Sequence, residues 1–509
     1  MADFAKLYRE WKAPLGGVCP DWPAKGWAVE GDFVGIQKFV LRPVPGAKGA
    51  ARRLRGRSLL VVAYSQLIAK AVEEATGGRT FYLAGGRFLV ATSRQEQIPE
   101  KLAALQSRID AWALGVFRGE VEFHLAWARI EDGRIPRTVL RERMLASRAR
   151  PLAGVLRSGD DWNLSSFYRL PAPNAIRCPS CLSTGSPEGS DDEHEICLDC
   201  VRDRDLGGQL AHLTTPSIAA AADGPIDCLG KRYAIGQQGD RIQVVRHMPR
   251  QNQQPMTLEE VAERSCGSRK WLGYLRLDAD RIGMEFEKLE GSPGNVRGLS
   301  RLLHHFFWEE VQALVESKYP MIYPVYGGGD DLFVIGPWDQ ALDFAGVLAA
   351  RFHAISQGNL RFSCGVALSK AKQHILSKSE EAEAALHQAK VEGGNRIRAL
   401  SAGLTWQDYA GALKQAKLVA EWHNQKGLAS AFLHQLIELH LRWQKDMSDA
   451  GYRPLLHYQI ERNIRGKIAP EIQSWARSLL KPGSQWPMIG FISRYAMLAS
   501  TTNPKGDED

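Results

Sequence analysis

The chain has 509 residues, 44% of them apolar and 24% charged, and 65 Lys and Arg against 57 Asp and Glu leave a net charge of +8. At ~100–200 residues per domain this length predicts three or four domains, each able to bury a core of its own, and the apolar fraction excludes a disordered protein. No apolar run reaches the ~18 residues of a membrane span, and the N-terminal MADFAKLYREWKAP lacks the order of an export signal, so the chain reads as cytoplasmic with no membrane partner.

In chain order, the first strand signal is Gly31-Asp32-Phe33-Val34-Gly35-Ile36. A dense basic run follows, Lys48 to Arg57 (KGAARRLRGR), without an acid to offset it. It suits a polyanionic partner, and its plain alternative is a solvated loop or helix face. The stretch Leu59 to Val72, the most apolar of the chain, is interrupted by Ser65, Gln66 and Lys70. Next comes Phe81-Tyr82-Leu83-Ala84-Gly85-Gly86-Arg87-Phe88-Leu89-Val90, a hairpin with a glycine turn, and then an alternating run from Val121 to Ala128.

Four of the eight cysteines then crowd into one stretch. Cys178-Pro-Ser-Cys181 and Cys197-Leu-Asp-Cys200 are two C-x-x-C knuckles separated by fifteen polar residues. Each knuckle lets two thiolates grip one tetrahedral ion, which predicts a structural zinc site with no open position. A redox pair and chance are the competing readings, and Cys19, Cys228, Cys266 and Cys364 read as scattered small apolar residues. Two extended segments, Lys231 to Ile235 and Arg241 to His247, follow, and Thr257-Leu258-Glu259-Glu260 has capping-box spacing for a helix.

The pattern of the first segment then returns. Leu275-Arg276-Leu277-Asp278-Ala279-Asp280-Arg281-Ile282-Gly283 precedes Tyr323-Pro324-Val325-Tyr326-Gly327-Gly328-Gly329-Asp330-Asp331-Leu332-Phe333, with a further alternating run at Leu360 to Leu368. The interval from Asp32 to Gly85 is 53 residues and that from Asp278 to Gly328 is 50. A strand, a helix, a glycine-turn hairpin, a helix and a strand describe a split βαβ unit, so the chain reads as a duplicated α+β protein. In the second copy Asp278, Asp280, Asp330 and Asp331 converge at one sheet edge. Hard oxygen ligands in that number suit Mg²⁺ or Mn²⁺ with substrate phosphates, and Gly328 and Gly329 leave room for a triphosphate. In the first copy Arg87 aligns with Asp330 and Phe88 with Asp331, so Asp32 is left alone and this copy reads as catalytically silent, with Gly85, Gly86, Ser58 and Arg57 free to hold a nucleotide. Downstream, Ala382, Ala385, Leu386 and Ala389 give a helix face ending in Lys390 and Glu392-Gly393-Gly394-Asn395-Arg396. Leu433, Leu436, Ile437 and Leu441 give another, and the tail TTNPKGDED reads as frayed.

These residues carry a resemblance. GDFVGIQKF, KGAARRLRGRSLL, the CPSC and CLDC knuckles, LGYLRLDADRIG, YGGGDDLFV, FSCGVALS, AEAALHQAKVEGGNRI and RPLLHYQIERN occur in the same order in the large, polymerase-like subunit of type III CRISPR effector complexes, which the chain resembles from about residue 29 to about 465, above all its Csm (III-A) branch. The resemblance implies an α+β multidomain protein. Residues 1–28 would be an N-terminal extension and 29–145 a degenerate, ferredoxin-like palm of the nucleotide-cyclase type. Residues 146–255 would be a zinc-bearing linker domain, 256–403 a second, catalytic palm and 404–509 a helical domain. It further implies target-RNA-activated synthesis of cyclic oligoadenylates from ATP, with attack of a 3′-hydroxyl on an α-phosphate and release of pyrophosphate. Asp278, Asp330 and Asp331 match metal-binding positions, with Asp280 as a helper, and Lys390 matches a triphosphate-contacting lysine. Ser58, Gly85 and Gly86 match the nucleotide-holding part of the first palm. Guide CRISPR RNA, target RNA and the backbone, small and guide-handle-binding subunits are the implied partners. Most relatives begin with a phosphohydrolase-type domain bearing a His-Asp pair; about thirty residues precede the first palm here and the chain has no His-Asp dipeptide, so nuclease activity is not expected. Two other readings compete. A diguanylate cyclase shares the palm but has Gly-Gly-Asp/Glu-Glu-Phe at the turn and lacks the knuckles, and a non-catalytic RNA-binding scaffold has no need of four mutually repelling acids.

Overall fold

The computed structural model describes residues 3–11, 22–42, 49–157, 175–185, 187–191, 194–289, 291–446, 451–464, 468–481 and 485–501. After helix α1 (Phe4–Trp11), the first unit comprises β1 (Gly26–Val34), α2 (Ala50–Thr76), β2 (Arg79–Ala84), β3 (Arg87–Thr92), α3 (Ile98–Phe117) and β4 (Glu122–Ile130), followed by α4 (Arg137–Arg148). Its antiparallel sheet has the order β2-β3-β1-β4. Helix α5 (Leu198–Leu210) leads from the cysteine knuckles into a four-stranded sheet that the sequence reading did not resolve. It consists of β5 (Ser217–Ala220), β6 (Ile226–Cys228), β7 (Lys231–Gly236) and β8 (Asp240–Arg241), in the order β6-β7-β5-β8. Only the start of the expected Arg241–His247 strand pairs, through β8, while Lys231–Gly236 forms as expected. Thr257 caps the short helix Leu258–Ala262 with the reciprocal box, Glu260 N–H donating to Thr257 Oγ1 at 3.2 Å and Thr257 N–H to Glu260 Oε2 at 2.6 Å.

The second unit repeats the first. It is built from β9 (Trp271–Ala279), α6 (Pro293–His305) running through a π-helical turn (Phe306–Glu310) into α7 (Val311–Ser317), β10 (Tyr323–Gly328), β11 (Asp331–Pro337), α8 (Trp338–Ile355), β12 (Phe362–Lys370) and α9 (Ile375–Val391). Its sheet order β10-β11-β9-β12 is that of the first unit, extended by β13 (Arg396–Ala399) and β14 (Ala402–Thr405). Helices α10 (Trp406–Asn424), α11 (Ser430–Lys445), α12 (Tyr452–Asn463), α13 (Pro470–Ser478) and α14 (Ile489–Leu498) complete the chain. On α11 Leu433 and Leu436 are buried, but Leu441 is exposed and Leu439 and His440 take the buried positions instead, because the packed stripe turns with the 3.6-residue period. The tail from Thr502 lies outside the described residues.

The strand register shows how the two copies correspond. Asp32 pairs with Arg87 across β1 and β3, and Asp278 pairs with Asp331 across β9 and β11. Each hairpin carries a bulge at the same place, between Thr80 and Tyr82 and between Pro324 and Tyr326. Arg87 is therefore the counterpart of Asp331, Gly86 of Asp330 and Gly85 of Gly329, one position away from the alignment read from the glycines alone. The two turns have equal length, but Asp330 stands where Gly86 stands, so matching glycine to glycine slips the alignment by one.

Buried apolar side chains form two large clusters, and each draws on both units: Ala28 and Leu89 share one with Leu275 and Val334, while Val29 and Phe88 share the other with Tyr274 and Phe333. The expectation of one core per domain is thus corrected, since each sheet buries its two faces against different neighbours. A second repeat lies in the helices. Arg55-Gly56-Arg57-Ser58 on α2 and Arg297-Gly298-Leu299-Ser300 on α6 each place a glycine under a crossing helix. A Cβ on Gly56 would lie 1.8 Å from Asp203 O of α5, and one on Gly298 would lie 2.5 Å from Ala5 N of α1. The N-terminal segment is therefore not a free extension, because α1 docks on the second unit as α5 docks on the first.

The basic run is not a solvated face. Arg53, Arg55 and Arg57 are buried at the start of α2, and Lys48 lies outside the described residues. Arg55 donates to the carbonyls of Val245 and His247 and lies 4.7 Å over the Tyr323 ring. Arg57 donates to Asp203 Oδ2 at 2.7 Å and Phe39 O at 3.0 Å. A guanidinium has five donors in a rigid fork, so it can be buried where enough carbonyls and carboxylates meet it. Arg55 and Arg57 cross-link α2 to the linker, and Arg57 does not line the cavity between the two units, which corrects its placing at a nucleotide.

Candidate functional site

The four knuckle cysteines come together. All are buried, and their sulfurs lie within 4.8 Å of one another, the one group of three or more His, Cys, Asp or Glu side chains so gathered among the described residues. Cys178 and Cys200 sulfurs are 3.9 Å apart and those of Cys181 and Cys197 are 3.6 Å apart. Four sulfurs on a tetrahedral ion with ~2.3 Å bonds stand about 3.8 Å from one another, so the spacing fits one closed four-thiolate site. Cys197 is pushed up to about 12, first by its hydrogen bond with Cys181, and the group cannot ionise fully without a cation. Arg57 Nη2 lies 3.8 Å from Cys200 Sγ, which ties this site to α2 one residue before Ser58.

The two units face each other across one cavity of about 1460 Å³. Asp32, Ser58, Gly85, Gly86 and Arg87 line it from the first unit, and Asp278, Gly328, Asp330 and Asp331 from the second. The glycine turns meet at its floor. A Cβ on Gly85 would come 2.9 Å from Gly328 O, and one on Gly329 would come 3.3 Å from Gly85 Cα. Gly85 and Gly329 both have positive φ, 57° and 68°, so side chains are excluded there twice over.

On the second unit, Asp278 and Asp331 sit side by side because β9 and β11 end in register. Burial, then the nearby Asp330 carboxylate, pushes Asp278 up to about 6, and burial with Asp330 and Asp278 pushes Asp331 up to about 8. The Lys390 ammonium, in the last turn of α9, ion-pairs with Asp278, and this only partly offsets the repulsion. Half-buried acids set near one another against their own charge are a donor set for hard divalent cations. Asp280 faces elsewhere. Its Oδ1 accepts from Ser363 Oγ at 2.8 Å and its Oδ2 from Asn395 N–H at 2.7 Å, so it anchors the loop after α9.

Three participants were not read from the sequence. Arg276, buried in mid-strand, donates to Tyr326 OH and to Gln37 Oε1 at 3.0 Å and pairs with Glu383 at 3.0 Å, joining the units behind the acids. A charge inside the apolar run LGYLRLDA was the available signal. His304 sits beneath the glycine turn, Gly329 N–H pointing at its Nδ1 at 3.5 Å, and burial lowers it to about 3. Arg148, at the end of α4, reaches Asp32. No motif marks either of these.

Comparison with known proteins follows this geometry. Residues 271–398 match the family described as Cas10/Cmr2, second palm domain, and residues 27–142 match Csm1 subunit domain B. A CRISPR system single-strand-specific deoxyribonuclease Cas10/Csm1 (subtype III-A) of Thermococcus onnurineus is 25% identical over 87% of this chain and 66% of its own length. Its namesake from Enterococcus italicus is 31% identical over 41% of this chain and 28% of its own. The chain thus spans less than two thirds of the length of these relatives. Among solved structures, an apo Csm1–Csm4 cassette superposes with a TM-score of 0.71 at 20% identity, covering 97% of this chain and 72% of that one. A Csm1–Csm4 cassette in complex with cA4 does so with 0.70 at 18% identity, covering 95% and 71%. At these identities the likeness is one of fold.

Proposed function

We propose, for a chain that belongs to the Cas10/Csm1 family of type III-A CRISPR large subunits, that it makes cyclic oligoadenylates from ATP when the assembled effector binds target RNA. The observation that carries this is the cavity itself, where one acid-bearing palm and one palm without a second acid meet turn to turn with room for two nucleotides. In this reading Asp278, Asp330 and Asp331 hold Mg²⁺ or Mn²⁺. Bound there, the cations would supply charge stabilisation at the α-phosphate and acidify the attacking 3′-hydroxyl. The chain's own residues do the rest. Gly328 and Gly329 let the backbone approach the triphosphate, and Lys390, released from Asp278 when the acids take up cations, neutralises its charge. Ser58, Gly85 and Gly86 hold the second nucleotide so that its 3′-hydroxyl meets the first in line. Asp280 fixes the loop behind Lys390 instead of binding metal.

The four cysteines hold zinc structurally in this proposal, and the divisions 1–28, 29–145, 146–255, 256–403 and 404–509 describe its parts, with the first docked on the fourth through α1. Guide and target RNA and the remaining subunits, among them a Csm4-type partner like that in the cassette structures, complete the complex. No step uses the deoxyribonuclease activity that names the curated relatives. The test is incubation of the protein with α-³²P-labelled ATP or GTP and Mg²⁺ or Mn²⁺, alone and assembled with guide and target RNA. Phosphatase-resistant adenylate products that require target RNA and vanish in Asp330→Ala/Asp331→Ala are expected. Product from GTP without RNA would indicate a diguanylate cyclase, and no product from a target-bound complex would leave a scaffold.

A further inference from the structure

The first palm solves the charge problem at its sheet edge in the opposite way from the second. Asp32, the counterpart of Asp278, is buried, and Arg87 stands where Asp331 stands. Arg87 Nε donates to Asp32 Oδ1 at 2.9 Å, and Arg148 donates to Oδ2 from the other side. All three side chains line the shared cavity. The Asp32 side chain is 6% exposed, whereas those of Arg87 and Arg148 are 60% and 35% exposed. Two cations thus share one sunken anion, with Asp330 across the cavity and Glu30 behind as the other acids near Arg87, and guanidinium donors stay open to the cavity. A guanidinium presents parallel N–H groups that match phosphate oxygens in pairs. Asp32 takes one donor of each fork and so competes with any other anion for them.

We propose that Arg87 and Arg148 form a metal-independent phosphate site in the first palm, taking the polyphosphate of a nucleoside triphosphate. It rests on the reading that the cavity holds two nucleotides, and it assigns them different counter-ions: divalent metal in the second palm, guanidinium in the first. A nucleotide in the first palm would then stay bound where chelation empties the second.

The test is equilibrium binding of a fluorescent, non-hydrolysable ATP analogue to the full chain, in EDTA and in Mg²⁺. One EDTA-resistant site is expected in the wild type. Arg87→Gln and Arg148→Gln should each weaken it about tenfold or more, the loss of charge-assisted hydrogen bonds, and Arg87→Lys should fall between. Asp32→Asn decides between a ligand site and an internal ion pair. It frees both forks, so binding in EDTA should tighten, whereas a merely structural cluster would be loosened by it. The melting temperature without nucleotide checks that each variant folds. No EDTA-resistant binding in the wild type, arginine variants that bind as the wild type does, or Asp32→Asn binding that is unchanged or weaker would each overturn the proposal. Product formation is not read here, so a failed cyclase and a failed phosphate site give different results.

Discussion

The two palms share a topology, a bulge and a strand register, and they differ at two adjacent positions, Gly86 against Asp330 and Arg87 against Asp331, in a way that separates their charge. In the second, Asp278 faces Asp331 and neither ionises easily. In the first, Asp32 faces Arg87 and the charge is satisfied within the protein. The residue opposite the strand-end acid decides whether that acid meets another acid or a cation of the chain's own. The helices beneath differ in the same manner. Arg57 of the first palm makes a fully buried ion pair with Asp203, while its counterpart in the second, Leu299, is simply buried among apolar groups.

The largest effect that tests this contrast is on turnover. Under the proposed function, Asp331→Asn should lower adenylate synthesis by ~10³-fold or more, since it would remove a ligand to the cations that stabilise the transition state. Arg87→Gln should lower it far less at saturating ATP, its effect falling on KM. Equal losses in both would break the division of labour between the palms.

Next in size is stability. Arg57→Ala should cost ~3–5 kcal/mol, the penalty for stranding a buried partner, softened because Arg202 also donates to Asp203 at 2.9 Å. Chemical denaturation measures it, and chelation of the neighbouring cysteine site should lower stability in the same region of the chain. Were Arg57→Ala neutral, the α2–α5 crossing would need no ion pair, like its repeat in the second palm, where Ala5 N–H donates to Asn295 Oδ1 at 3.0 Å and Arg301 lies over the Tyr8 ring.

Another effect depends on pH. Asp331 takes up its proton more readily folded, at about 8, than at its ordinary 3.8, so the metal-free folded state binds more protons than the unfolded one across that window. Stability contributed by the protonated carboxyl is present below about pH 4 and is lost as pH rises towards 8. Asp331→Asn should flatten that slope in the metal-free protein, and added Mg²⁺ should reverse it. The smallest expected change is Gly85→Ala, which combines a strained positive φ with a Cβ 2.9 Å from Gly328 O. It should cost ~1–3 kcal/mol and reduce synthesis by prising the turns apart, and an unaltered rate would show that their contact is incidental.

Much of this protein was legible in its sequence because the signals are local. Strand alternation, the Thr257 box and the helix ending in Lys390 depend on period and spacing within a few residues. The two cysteine knuckles carry their geometry in two C-x-x-C pairs, and the duplication shows because both copies keep their motifs in one order. What only the tertiary structure decided depends on contacts between distant segments. The basic run read as facing a polyanion or solvent because composition does not reveal that α5, Val245 and Tyr323 close over it. Asp280 looked like a metal ligand until the loop at Asn395 folded back to it, and His304 and Arg148 have no pattern of their own. The correspondence of Arg87 with Asp331 could not be read from glycines, since the glycine run ends one position earlier in the second hairpin, while hydrogen bonding between strands fixes the partners. Charge type is written in the residue, but whether a charge meets water, a metal or another side chain is settled only when the strands pair.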